Sequence, residues 1–129
     1  MQIFRSNNPI VVHKLKDKLI LITAEELCER MIVSPNRTLV LVAVDGNKIV
    51  GHIVVVIGQH IKSAFILSGR IDKGVSAEYK EMAMNMVEKW CVDEFGIHEI
   101  RTDTKIKDKV FSRLFKGYNL YGHVMNKTF

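Results

Sequence analysis

Proline is scarce in this chain of 129 residues, where only Pro9 and Pro35 interrupt the run. With 47% apolar residues, that scarcity excludes a Pro-rich linker and argues for a folded chain rather than a disordered one. Cysteine is equally sparse. Cys28 and Cys91 stand far apart, each inside a helical pattern, without the neighbouring ligands of a zinc site. They read as two buried free thiols of a cytoplasmic protein, not as a disulfide, and no metal is expected. Apolar runs such as residues 19–22 and 53–57 are far too short to span a membrane. The opening Met1-Gln2-Ile3-Phe4-Arg5-Ser6 lacks the apolar core of a signal peptide. These absences lead to one domain over residues 1–129, with no membrane partner and enough length for a real core.

Charge is present but unfocused. The formal net charge of +5 suits a phosphorylated ligand or nucleic acid, yet the lysines are scattered along the chain as on a solvated surface. No strand interleaves aromatic and basic residues, and neither a helix-turn-helix signature nor zinc-finger spacing occurs, so nucleic acid is not an expected partner.

What is there is an ordered series of elements. Residues 1–6 suit an edge strand. Pro9 fits the first turn of a helix capped by Asn8, with Val11, Val12, Leu15 and Leu19 on one face. Thr23 and Glu26 form a capping box that opens a second helix, which Ser34-Pro35-Asn36 ends. Residues 39–44 are apolar on both faces, the mark of a strand covered on two sides. Asp45-Gly46-Asn47 is a hairpin turn, and residues 48–57 return, apolar apart from Gly51 and His52.

The stretch from residue 63 to 104 organises the rest. A strand over 63–67 leads into a polar loop, Ser68-Gly69-Arg70-Ile71-Asp72-Lys73-Gly74. A helix follows over 76–95 with Tyr79, Ala83, Met86, Val87 and Trp90 inward, stopped by Gly96, and then a strand over 97–104. This is a βαβ crossover, which predicts parallel pairing of its two strands. Unpaired amides at such a helix N-terminus make a seat for phosphate. Met82, Met84 and Met86 read as core or as a dimer seam. A helix over 108–116, stopped by Gly117, and a final strand over 120–125 close the chain.

This order resembles the GNAT superfamily of acyl-CoA-dependent N-acetyltransferases, above all its compact phage-encoded forms. Three segments carry the likeness: Val44-Asp45-Gly46-Asn47-Lys48-Ile49-Val50-Gly51, then Glu88-Lys89-Trp90-Cys91 ahead of Phe95-Gly96-Ile97-His98-Glu99-Ile100-Arg101, and Phe111-Ser112-Arg113-Leu114-Phe115-Lys116-Gly117-Tyr118. The resemblance implies an α/β fold, a mixed central sheet with helices on both faces. It also implies acetyl-CoA as cofactor, held by Leu67, Ser68, Gly69, Arg70, Lys73, Gly74, Val75 and Ser76. The implied activity transfers an acetyl group to an amine of a small molecule or protein.

The sequence departs from the family at two places. Its phosphate loop usually reads Q/R-x-x-G-x-G/A, whereas residues 70–78 hold one glycine at a different spacing and place Glu78 in the first helical turn. That carboxylate suits the helix dipole and repels phosphate, which Arg70 and Lys73 would offset. The family's tyrosine acid falls at Phe111 or Arg113, neither of which is a general acid at neutral pH. Tyr118 and Tyr121 are the remaining hydroxyls, and His60 and His123 the candidate bases. Asp72, in the cofactor loop, reads as a turn residue. The alternative is a GNAT-like binding or inhibitory module without catalysis.

Overall fold

The computed structural model describes residues 1–58, 60, 62–103, 119–121 and 124–129. Its elements are β1 (Gln2–Arg5), α1 (Pro9–Lys14), α2 (Ala24–Val33), β2 (Thr38–Asp45), β3 (Lys48–Ile57), β4 (Ala64–Ile71), α3 (Ala77–Phe95), β5 (Glu99–Asp103), β6 (Asn119–Tyr121) and β7 (Val124–Thr128). One seven-stranded sheet takes the order β1-β2-β3-β4-β5-β7-β6. Neighbours run antiparallel except β4 and β5, which pair parallel across the α3 crossover, as the βαβ pattern requires. Mixed sheet and helices on both faces match the α/β expectation.

Each face of the sheet buries its own core. Leu39, Leu41, Ile53, Val55 and Ile66 meet Ala83, Val87, Trp90 and Cys91 of α3. On the other face Val40, Val42, Val54 and Val56 meet Val12 and Leu27 of α1 and α2. Covered on both sides, β2 and β3 therefore alternate between two cores, which is why they read as continuous apolar runs. The local signals hold as well. Thr23 and Glu26 form the reciprocal capping box, and Asn8 Oδ1 accepts from the Ile10 N–H. Gly96 ends α3 at φ 61°, a left-handed position that favours glycine. In the β2–β3 turn only Gly46 takes positive φ (61°), the pattern of a type II′ rather than a type I′ hairpin.

Several expectations are corrected. α1 stops at Lys14, and Leu19 lies beyond it, half-buried against the α1/α2 core. β4 runs on to Ile71, so Ser68, Gly69 and Arg70 are strand and not loop, because the ten-residue β3 keeps offering them ladder partners. The C-terminal region holds two paired strands, β6 and β7, where one was expected, and β7 sits between β5 and β6. Cys28 is half-buried, while Cys91 is buried, and both are free. The helix expected over residues 108–116 lies outside the described residues.

The inward face of α3 is rotated from the expected one. Its buried residues are Lys80, Ala83, Met84, Val87, Trp90 and Cys91, spaced mainly by three and four, whereas Met86 is 36% exposed and Met82 45%. Tyr79 is half-buried. Met84→Ala is accordingly expected to cost about 2–5 kcal/mol in urea unfolding. Met86→Ala should stay within about 0.5 kcal/mol of the parent. The opposite ranking would show that the helix presents its other face to the sheet.

Candidate functional site

The site begins where two strands part. β4 and β5 pair only from Ala64–Ile100 to Ile66–Thr102, and β4 then continues to Ile71 without a ladder partner on that side among the described residues. A bulge lies at the same point. Val54 pairs with Ser68 and Val55 with Ile66, so Leu67 is an extra residue in β4. A bulge bends its strand and turns two successive side chains to one face. Leu67 packs against the α1/α2 core, and Ser68 faces the same way, towards His52.

The segment between α1 and α2 is tied to that bulge. The Leu21 N–H donates to the Leu67 carbonyl at 3.0 Å, and the Ile20 N–H to Ser68 Oγ at 3.2 Å. His52 Nε2 lies 2.7 Å from the same hydroxyl. Ser68 Oγ, accepting from Ile20, still has its own proton and a second lone pair, so it can pair with Nε2 in either ring tautomer. Burial, with the cations Lys18 and Arg70 nearby, pushes the His52 pKa down to about 4, so the ring is neutral at pH 7.

At the far end of β4 the chain turns through residues 72–76 into α3. The Asp72 N–H donates to the Val50 carbonyl and the Val75 N–H to the Asp72 carbonyl, which fixes the turn. Asp72 is thus a turn residue, also 3.7 Å from Lys48 in an exposed pair of small energetic value. Ser76 takes the N-cap position of α3 but makes no side-chain cap, so the first amides of the helix face outward uncapped by it. Glu78 sits in that first turn. A groove of about 540 Å³ borders the helix start, walled by Lys73, Gly74 and Ser76 on one side and Asp45 and Lys48 on the other.

The residues expected to hold a cofactor thus fall into two groups. Leu67, Ser68 and Gly69 line the parted strand, with Ser68 fully buried. Arg70, Lys73, Gly74 and Ser76 are exposed along the turn, with Val75 half-buried beside them. Two observations bear on the fit of a long pyrophosphate ligand there. Thr102 Oγ1 is buried with no hydrogen-bond partner among the described residues, and it stands on β5 at the point of parting. A Cβ built on Gly74, whose φ is 98°, would meet nothing within 4 Å, so the turn is open. These groups fit such a ligand.

Other candidates fall elsewhere. His60 is exposed beyond the C-terminal end of β3, about seven strand residues, or roughly 23 Å, from the Ile71 end of β4. Tyr118, Phe111, Arg113 and His123 lie outside the described residues. Tyr121 belongs to β6, opposite Val124. Among the described residues there is no cluster of metal-ligating side chains, and no helix is long and apolar enough to cross a membrane. Neither His52 nor Thr102 stands out as a site residue from sequence. A histidine inside an apolar strand is the available signal for His52, whereas Thr102 occupies an ordinary alternating strand position.

Parted parallel strands beside a crossover helix define the class: this is the fold of the GNAT acetyltransferases. The chain is similar over 99% of its length to a GNAT-family acetyltransferase from Streptococcus pneumoniae (99% of that chain, TM-score 0.73, 14% identity). It is similar in full to the PaiA N-acetyltransferase from Thermoplasma acidophilum in complex with coenzyme A (100% of both chains, TM-score 0.70, 16% identity). An aminoglycoside 6'-N-acetyltransferase from Enterococcus faecium shares 23% identity over 99% of this chain and 97% of its own, at TM-score 0.66. No protein-family model and no curated protein sequence matches the chain.

The buried imidazole has a consequence for stability. Folded His52 gains its proton only near pH 4, and an unfolded histidine near 6.5, so between these values the unfolded chain binds more protons. The stability is present in full above about pH 6.5 and is lost as pH falls through that window, by up to about 3 kcal/mol. Urea unfolding at pH 7 and pH 4.5, with an NMR titration of the ring, measures it. A ring that titrates near 6.5 would contradict the buried, neutral assignment.

Proposed function

We propose that this protein is an acyl-CoA-binding N-acetyltransferase that moves an acetyl group from acetyl-CoA to an amine of a small molecule or protein. The observation that carries the reading is the parting of β4 from β5 next to the uncapped start of α3. A single domain, a cytoplasmic location and a homodimer through the exposed Met82 and Met86 go with this proposal.

The cofactor residues take distinct parts. We assign the pyrophosphate to the amides at the start of α3, with Arg70 and Lys73 paired to it and offsetting Glu78. Gly74 and Val75 leave the turn open, and Ser76 contributes backbone. Along β4 the Leu67 carbonyl already accepts from Leu21 and the Ser68 hydroxyl from Ile20, so pantetheine pairing moves on to the backbone from Gly69. Thr102 Oγ1 supplies one further hydrogen bond. When bound, acetyl-CoA supplies an activated thioester for transfer to the amine. Tyr118 or Tyr121 is assigned as the proton donor to the leaving group, since Phe111 has no hydroxyl. The coenzyme A complex of the Thermoplasma protein supports the cofactor, and the lone glycine with Glu78 favours, as second reading, a binding module that has lost catalysis.

Acetyl-CoA at a hundred times its dissociation constant is expected to stabilise the fold by about 2.7 kcal/mol, on the order of 10 °C in melting temperature. Arg70→Gln and Lys73→Gln should each weaken binding about tenfold, the worth of one charge-assisted hydrogen bond. Absence of a thermal shift at millimolar acetyl-CoA would remove the cofactor assignment.

Turnover separates the two readings. Tyr118→Phe or Tyr121→Phe should lower kcat by about a hundredfold or more if that hydroxyl is the acid, with acetyl-CoA binding retained. Turnover unchanged from the parent in both variants assigns the proton to water. Binding without transfer to any amine of a broad panel makes the protein a binding module.

A further inference from the structure

On the face of the sheet opposite α3, a polar group occupies a position that the neighbouring sequence would fill with valine. His52 lies in β3 on the same face as Val54 and Val56 and is 4% exposed. Its side-chain partner is Ser68 Oγ, itself completely buried. Burying an imidazole and a hydroxyl here disfavours folding unless their hydrogen bonds are made, so the pair has to be satisfied in place.

That pair leads directly to the chain between α1 and α2. Leu19 and Ile22 pack into the core at the ends of this strap, but Ile20 and Leu21 between them are 42% and 37% exposed. Core packing does not set those two residues. Their amides do, through Ile20 N–H to Ser68 Oγ and Leu21 N–H to the Leu67 carbonyl, both at the bulge where β4 leaves β5. Charged side chains around the strap are Lys18 and Arg70 beside His52, with Lys16, Glu25 and Glu26 on its outer side. Glu26 is engaged in the cap of α2.

We propose that His52 and Ser68 are positioning residues which hold the 19–22 strap against the β4 bulge and so present Ile20 and Leu21 as an apolar wall to the acceptor amine. The wall favours an amine that carries an apolar group. This rests on the acetyltransferase reading for its substrate. The mechanical part, a strap latched by two amides through a buried serine and histidine, does not.

Amide hydrogen exchange followed by NMR tests the latch without any substrate. In Ser68→Ala and His52→Val the Ile20 and Leu21 amides should exchange at least about tenfold faster than in the parent, while the β3 amides of Val54 and Val55 keep their protection. His52→Gln, whose amide reaches as far as Nε2, should restore slow exchange. If Ser68→Ala does not fold, Ile20→Pro removes the donor itself and should release Leu21 in the same way. Unchanged exchange in Ser68→Ala, or identical behaviour of His52→Val and His52→Gln, overturns the positioning role. With phenethylamine and spermidine as acceptor probes, the parent should prefer the first, and Ser68→Ala should raise its KM at least about tenfold. A preference for spermidine overturns the apolar wall. Transfer to neither probe by a parent whose strap is latched refutes the assigned acceptor class, and acetyl-CoA binding then decides separately whether the transferase reading survives.

Discussion

One extra residue in β4 governs the site. Leu67 is the extra residue at which the β3–β4 register shifts, and among the described residues the β4–β5 ladder ends one position earlier, at Ile66. Buried backbone groups freed in this way must find other partners. Leu21 supplies one for the Leu67 carbonyl. The strap is held in place because the lengthened strand has groups to satisfy.

The same bulge separates two environments. On the α3 side stand Thr102 and the start of the helix, where the first amides favour an anion. On the α1/α2 side stand His52, Ser68 and the strap. Glu78 is the dissonant charge. It stabilises the first turn of α3 by complementing the dipole, and it opposes a phosphate at the same place. In a loop with a single glycine, any affinity for phosphate would come from side chains to a greater degree than from backbone.

Most of the fold was legible because its signals are local. The capping box of Thr23 and Glu26, the Gly46 turn, the Gly96 stop and the strand–helix–strand order each depend on a few adjacent residues. What was not legible depends on pairing between distant segments. Ser68-Gly69 reads as a turn by composition, yet it continues a strand because Ile53 and Val54 lie opposite. The bulge leaves no mark in the sequence, since Leu67 is an ordinary apolar residue and only its missing partner makes it special. Met86 was expected inward and Met84 is buried in its place, because the two lie at opposite edges of the apolar stripe, where a rotation of the helix exchanges them. Of the site, the turn residues were visible and the His52–Ser68–Ile20 chain was not, as its members are separated by up to 48 positions.

Two-substrate transfer gains most when the reactants are brought together in a fixed orientation, which accounts for about 7–11 kcal/mol of barrier in well-oriented systems. In the proposed transferase, a cofactor on the α3 side and an acceptor on the α1/α2 side would meet where β4 and β5 part. The rigidity of the rim there then matters more than the identity of any one side chain around it. The β3–β4 ladder holds one side through Ile71, β7 holds β5 from behind, and the two strap amides close a margin that no strand covers among the described residues. A buried histidine in place of valine makes sense in these terms: it gives up apolar burial to hold the serine that holds the last part of the rim.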